Sequence, residues 1–102
     1  MMGSRLELQT KLETLLGSRN VYFQPPESVK LKYPCIVYQR SKIDSRFADN
    51  NPYIHKIRYD VTLIDKNPDS DILGKLAKLS LCAHQRHFTA DNLNHDVYIL
   101  YY

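Results

Sequence analysis

Ile57, Tyr59, Val61 and Leu63 alternate with Lys56, Arg58, Asp60 and Thr62. Successive side chains of a strand point to opposite faces, so this period of two predicts a half-buried strand with one apolar side and one side that is wet or faces a partner. A sheet with a covered face is therefore built into the chain, and the remaining segments have to supply the cover.

Upstream, Cys35-Ile36-Val37-Tyr38-Gln39-Arg40 reads as a second strand, rich in β-branched and aromatic side chains. The two are separated by a long polar excursion, Ser41-Lys42-Ile43-Asp44-Ser45-Arg46-Phe47-Ala48-Asp49-Asn50-Asn51-Pro52. Two strands around one connection predict an antiparallel hairpin with a tip of about a dozen residues, and a loop of that length in a small chain is functional or disordered rather than a plain connector. Twelve residues stretch to roughly 40 Å, so an out-and-back excursion projects about half that distance. Its Phe47-Ala48-Asp49-Asn50 is echoed by Phe88-Thr89-Ala90-Asp91-Asn92, an echo too short to mark a duplication.

Two segments have helical spacing. Ser4-Arg5-Leu6-Glu7 has the form of a capping box; Leu8, Leu12, Leu15 and Leu16 then form one face, and Gly17 supplies the stop. Each Leu fully buried contributes roughly 1.5–3 kcal/mol, enough for the stripe to pin the helix onto a sheet. The second helix follows the turn cluster Asp65-Lys66-Asn67-Pro68-Asp69-Ser70-Asp71 and presents Ile72, Leu73, Leu76 and Leu79. Asp69 and Asp71 are expected to cap it, and Gly74 to permit close approach to the sheet.

Val21-Tyr22-Phe23 is a short strand ended by Gln24-Pro25-Pro26, since proline has no amide to continue a ladder. Residues 81–88 read as a strand and residues 89–95 as a loop. The final Val97-Tyr98-Ile99-Leu100-Tyr101-Tyr102 is apolar or aromatic on both faces, as expected of a strand inside a sheet or under a partner. The order is helix, short strand, strand, strand, helix, strand, strand. It predicts an α+β fold: a mainly antiparallel sheet of four or five strands, two helices packed on it, and a projecting hairpin loop. At 102 residues the chain is expected to form one domain.

Composition narrows the function classes. No apolar run approaches the roughly 20 residues of a bilayer-spanning helix, and the opening Met-Met-Gly-Ser-Arg-Leu-Glu is unlike a signal peptide, so neither membrane insertion nor export is expected. Cys35 and Cys82 read as buried thiols in a reducing cytoplasm. A net charge of +3 is spread along the chain, and Asp60 interrupts the one basic and aromatic face, formed by Tyr53, His55, Lys56 and Arg58. A small nucleic-acid-binding module is thus the lesser alternative.

Catalytic and ligand-binding patterns are also wanting. Three glycines in all leave no phosphate-cradling loop, and no Ser or Cys sits in a nucleophile context. His84 and His87, three apart on a regular strand, point to opposite faces, which argues against joint metal ligation with Cys82. No catalytic, metal or cofactor site is expected. The chemistry that remains is contact chemistry. Arg46 beside Phe47 has the flavour of an interface anchor, with Asp49 and Asn50 as hydrogen-bonding neighbours, Lys56 and Arg58 on the exposed side of the strand, and Asp91, Asn92 and His95 as a second rim.

Taken together, Val21-Tyr22-Phe23-Gln24-Pro25-Pro26, Tyr33-Pro34-Cys35-Ile36-Val37-Tyr38, Phe47-Ala48-Asp49-Asn50, Tyr59-Asp60-Val61-Thr62-Leu63-Ile64-Asp65 and Asp91-Asn92-Leu93-Asn94-His95-Asp96-Val97-Tyr98 resemble the tail terminator, or tail-to-head joining, proteins of long-tailed bacteriophages and prophages. That resemblance covers nearly the whole chain from Val21 onward. It implies a virion protein assembled in the host cytoplasm, a subunit of a six-fold homo-oligomeric ring that sits on the last tail-tube ring, ends polymerisation and offers a surface to the head connector. The implied partners are the tail tube protein and a head-completion or connector protein, with DNA passing through the lumen without sequence-specific binding. Another connector layer or a head-completion protein is the nearest alternative.

Overall fold

The computed structural model describes the backbone of residues 5–48, 51–79 and 81–102, and their side chains outside residues 42–48 and 51–56. Seven elements follow in the expected order: α1 (Arg5–Leu16), β1 (Val21–Phe23), β2 (Cys35–Ala48), β3 (Asn51–Asp65), α2 (Ile72–Ala77), β4 (Cys82–Ala90) and β5 (Leu93–Tyr101). The strands form one mixed sheet of order β1-β2-β3-β5-β4. Only the β1–β2 pair is parallel. This is the α+β architecture, mostly antiparallel, with two helices.

The period of two in β3 is cashed out as a core. Tyr59, Val61 and Leu63 are buried on one face, with Ile36 and Tyr38 of β2 and Tyr98 and Leu100 of β5 beside them. Leu8 and Leu12 of α1 and Ile72 and Leu76 of α2 close that face, and Leu15, Leu16 and Leu73 pack at its margin. Gly17 ends α1 at φ +82°, a left-handed conformation that glycine adopts at no steric cost, and its amide donates to Glu13 O at 2.9 Å. Ser4, the first residue of the expected capping box, lies outside the described residues.

A chain of polar contacts fastens α1 over β1 and β2. Arg5 Nη1 donates to Tyr38 Oη at 3.4 Å, Tyr38 Oη donates to Gln9 Oε1 at 2.5 Å, and Gln9 Nε2 donates to Val21 O at 3.0 Å and to Glu13 Oε2 at 3.1 Å. A phenol buried in a core needs such partners, because an unmade hydrogen bond there costs more than a made one gains.

Two local readings of the sequence are corrected around α2. The side chain that meets the helix start is Ser70, whose Oγ accepts the Ile72 amide at 3.3 Å. Asp71 occupies the cap position without a side-chain cap bond, and Asp69 donates its amide to Asn67 Oδ1 at 3.0 Å in an Asx-type turn. Gly74 faces open space rather than the sheet: a methyl added there meets nothing within 4 Å. Gly74→Ala is therefore expected to stabilise the fold by about 0.5–1 kcal/mol, since it removes backbone freedom from the unfolded chain without strain. A urea titration reads this as a higher midpoint at unchanged slope; a lower midpoint would place a hidden contact at Gly74.

Candidate assembly interface

The excursion expected as a loop is ladder. β2 and β3 stay paired from Cys35↔Ile64 out to Ala48↔Asn51, with irregularities between Arg40 and Lys42 and between Arg46 and Phe47. The body of the sheet stops earlier, because β5 pairs with β3 only as far as Arg58↔Tyr101, and Ile57 exchanges backbone hydrogen bonds with Tyr102 at 3.0 and 3.4 Å. Beyond that point β2 and β3 run on as a two-stranded ribbon of six to seven residues a side, about 20 Å at strand rise. The chain measures 50 × 26 × 23 Å accordingly.

Ser41 sits at the first irregularity and its hydroxyl donates to Arg58 O at 3.1 Å. The extra residue increases local twist where the ribbon leaves the body.

Of the expected contact residues, Asp49 and Asn50 lie outside the described residues. For Arg46, Phe47 and Lys56 only the backbone is described, and the register places Arg46 opposite Ile54, Phe47 opposite Pro52 and Asp44 opposite Lys56. All three belong to the ribbon. Arg58 stands at its root on the sheet face away from the helices, half-buried, with Nε 3.8 Å from Asp60 Oδ1; neither atom has a hydrogen bond.

Asp91, Asn92 and His95 are at the other end of the body. His95 lies alongside Ile64, six residues along β3 from Arg58 and about 20 Å away at strand rise. The loop expected over residues 89–95 is a two-residue turn instead: β4 runs through Ala90, Asp91 and Asn92 have φ of 53° and 62°, and β5 begins at Leu93. Asp and Asn are among the non-glycine residues that tolerate this left-handed conformation, which a tight hairpin of this hand requires. In Ala90-Asp91-Asn92 the repeated run is thus turn chemistry. His95 is a strand residue whose ring stacks on Phe88 at 4.6 Å and 14°, and Arg86 lies over the Phe88 ring at 5.3 Å. Sequence reading passed over Arg86 and Phe88, although they form an Arg-aromatic pair of the kind it singled out at Arg46 and Phe47. Phe88 is 39% exposed.

His84 and His87 are a further correction. A bulge between His84 and Arg86 shifts the register, so both histidines lie on the helix-side face of β4. His84 Nε2 is 3.1 Å from Asp96 Oδ1 and its ring meets Tyr98 edge-on, while His87 Nε2 is 3.3 Å from Asn94 Oδ1. Among the described residues no group of three His, Cys, Asp or Glu side chains is arranged to hold a metal ion. Burial pushes the Cys35 thiol up to about 12, with the Asp65 charge adding to it, and also raises Cys82. Raised thiols are poor nucleophiles at neutral pH.

No helix among the described residues is long and apolar enough to cross a membrane. Comparison with models of known families, with curated proteins and with solved structures found no match to this chain.

Proposed function

We propose that this protein is a non-catalytic structural subunit of a bacteriophage tail-to-head junction, which assembles head-to-tail into a six-membered ring that ends the tail tube and docks to the head connector. The observation that carries the reading is the β2–β3 ribbon, whose strands outrun the sheet on the side of Arg58. A two-stranded hairpin is at best marginally stable alone in water, so a ribbon of this length acquires its reason to exist from a neighbouring surface. The body agrees with that role: both helices sit on one face of the sheet and leave the other, with Arg86, Phe88, His95 and the Arg58–Asp60 pair, for contact. Closed rings use two different patches per subunit, and the expected contact residues fall at two ends of the body.

Arg46→Ala with Phe47→Ala is expected to weaken assembly at least tenfold while the unfolding midpoint is unchanged. The readout is electron microscopy of tails produced with wild-type protein, with the double variant and without the protein. Tails of normal length that join heads in its absence would end the proposal.

A further inference from the structure

The root of the ribbon holds a cavity of about 320 Å³ on the helix side of the sheet, lined by Arg5, Phe23, Gln24, Arg40, Ile57 and Tyr59. We infer that it is a carboxylate-binding site, filled by the acidic turn before α2, Asp69 and Asp71, of a second copy of this chain. This rests on the ring reading above, and it names the contact.

Four observations lead there. Two arginines line the cavity and, among the described residues, no acidic residue does. Arg5 is held in place without a carboxylate: its guanidinium lies 4.5 Å over the Phe23 ring and donates to Tyr38 Oη at 3.4 Å. Arg40 has its backbone fixed by Gln24, whose Oε1 accepts the Arg40 amide at 3.2 Å, and among the described residues no carboxylate pairs with either arginine. Burial raises the pKa of Tyr59, which also lines the cavity, and the charges of Arg5 and Arg40 oppose that rise. One guanidinium already held against an aromatic ring and a second arginine on a fixed backbone beside it match a planar carboxylate, the anion that accepts bidentate guanidinium bonds.

The occupant follows from charge and polarity. Asp65 closes β3 at the end remote from the cavity, six residues beyond Tyr59, and the turn that follows carries Asp69 and Asp71 exposed. The Asp71 carboxylate makes no cap bond, and neither aspartate is in an ion pair among the described residues. One end of the body is thus a basic socket and the other an acidic knob, about 20 Å apart along β3. Complementary patches at opposite ends dock one copy onto the next in the same sense, which is the head-to-tail geometry that closes a ring.

A charge swap tests this on the intact chain, read by sedimentation velocity up to about millimolar concentration. Wild type is expected to self-associate, more weakly as salt rises. Arg40→Glu and the pair Asp69→Arg with Asp71→Arg should each weaken association by about tenfold or more. An equimolar mixture of the two variants should regain much of it, because in an alternating ring the glutamate introduced by Arg40→Glu faces the arginines introduced in the other variant, and the unaltered socket of the second meets the unaltered aspartates of the first. Arg40→Gln, which leaves the cavity uncharged at that position, should fall between wild type and Arg40→Glu; near-ultraviolet circular dichroism confirms that each variant is folded. Association untouched by either reversal, or reversals that the mixture does not rescue, would overturn the socket while leaving a ring built on other faces. A wild type that stays monomeric at millimolar concentration would overturn a second copy as the occupant. Tail electron microscopy then judges the ring reading separately.

Discussion

Replacing residues 44–56 with Asn-Gly, so that Ile43 turns directly into Ile57, is expected to leave a folded body that no longer assembles. Ile43 and Ile57 are register partners, and two residues of this type are the preferred connection between paired strands. The deletion spares every contact that holds β3 in the sheet: Arg58↔Tyr101 pairing, the Ile57–Tyr102 backbone bonds and the Ser41–Arg58 bond all lie inboard of the cut. It also spares the buried residues Tyr38, Tyr59, Val61 and Leu63 and the leucines of both helices. A ribbon that contributes little to monomer stability can be removed with a thermal midpoint shift of only a few degrees, whereas under the proposed function its loss is expected to abolish ring formation and tail-to-head joining altogether. Unfolding of the shortened chain would make the ribbon part of the core. Full assembly without it would remove the observation on which the proposed function stands.

The covered half of this fold was legible because packing imposes periodicity. Tyr59, Val61 and Leu63 had to alternate with Arg58, Asp60 and Thr62, and Leu8 and Leu12 had to share a helical face, since both sets enter one core. The ribbon was not legible as strand for the complementary reason: past the last residue paired to β5 the backbone bonds of β2 and β3 satisfy each other, and nothing obliges the sequence to alternate. The bulge in β4 was hidden likewise. One extra residue reverses the face of everything after it, which brought His84 and His87 together against a spacing that read them apart. The Asp91-Asn92 turn did leave a signal, two residues tolerant of positive φ, but the polar run that continues through Asn94 and His95 makes residues 89–95 read as one loop. The basic cavity left none. Arg5 and Arg40 line one cavity only because α1 packs over β1 and β2, a tertiary fact that no local pattern encodes.

Alkaline solution is expected to destabilise the chain steeply. Cys35 is fully buried on the sheet face opposite the helices, and burial first, then the charge of Asp65, raises its pKa from 9.0 to about 12. Tyr38, Tyr59 and Tyr98 are raised in the same direction, each by burial above all. These groups are neutral when protonated, so the folded chain keeps protons that the unfolded chain has already released. Stability from Cys35 is therefore fully present below pH 9, declines as pH rises, and is gone above about 12. At about 1.4 kcal/mol per tenfold change in acidity this thiol alone accounts for on the order of 3–4 kcal/mol across that window. Domains of this size hold only about 5–15 kcal/mol in total, so the loss is a large share of the whole. Urea midpoints measured at pH 7 and at pH 10.5 should fall steeply between the two for the wild type. Cys35→Ala should start from a lower midpoint at pH 7, because it leaves a small void, yet lose roughly 2 kcal/mol less on going to pH 10.5. Equal losses in the two proteins would mean that Cys35 ionises in the folded chain as easily as in the unfolded one, and that the face bearing it is open to water.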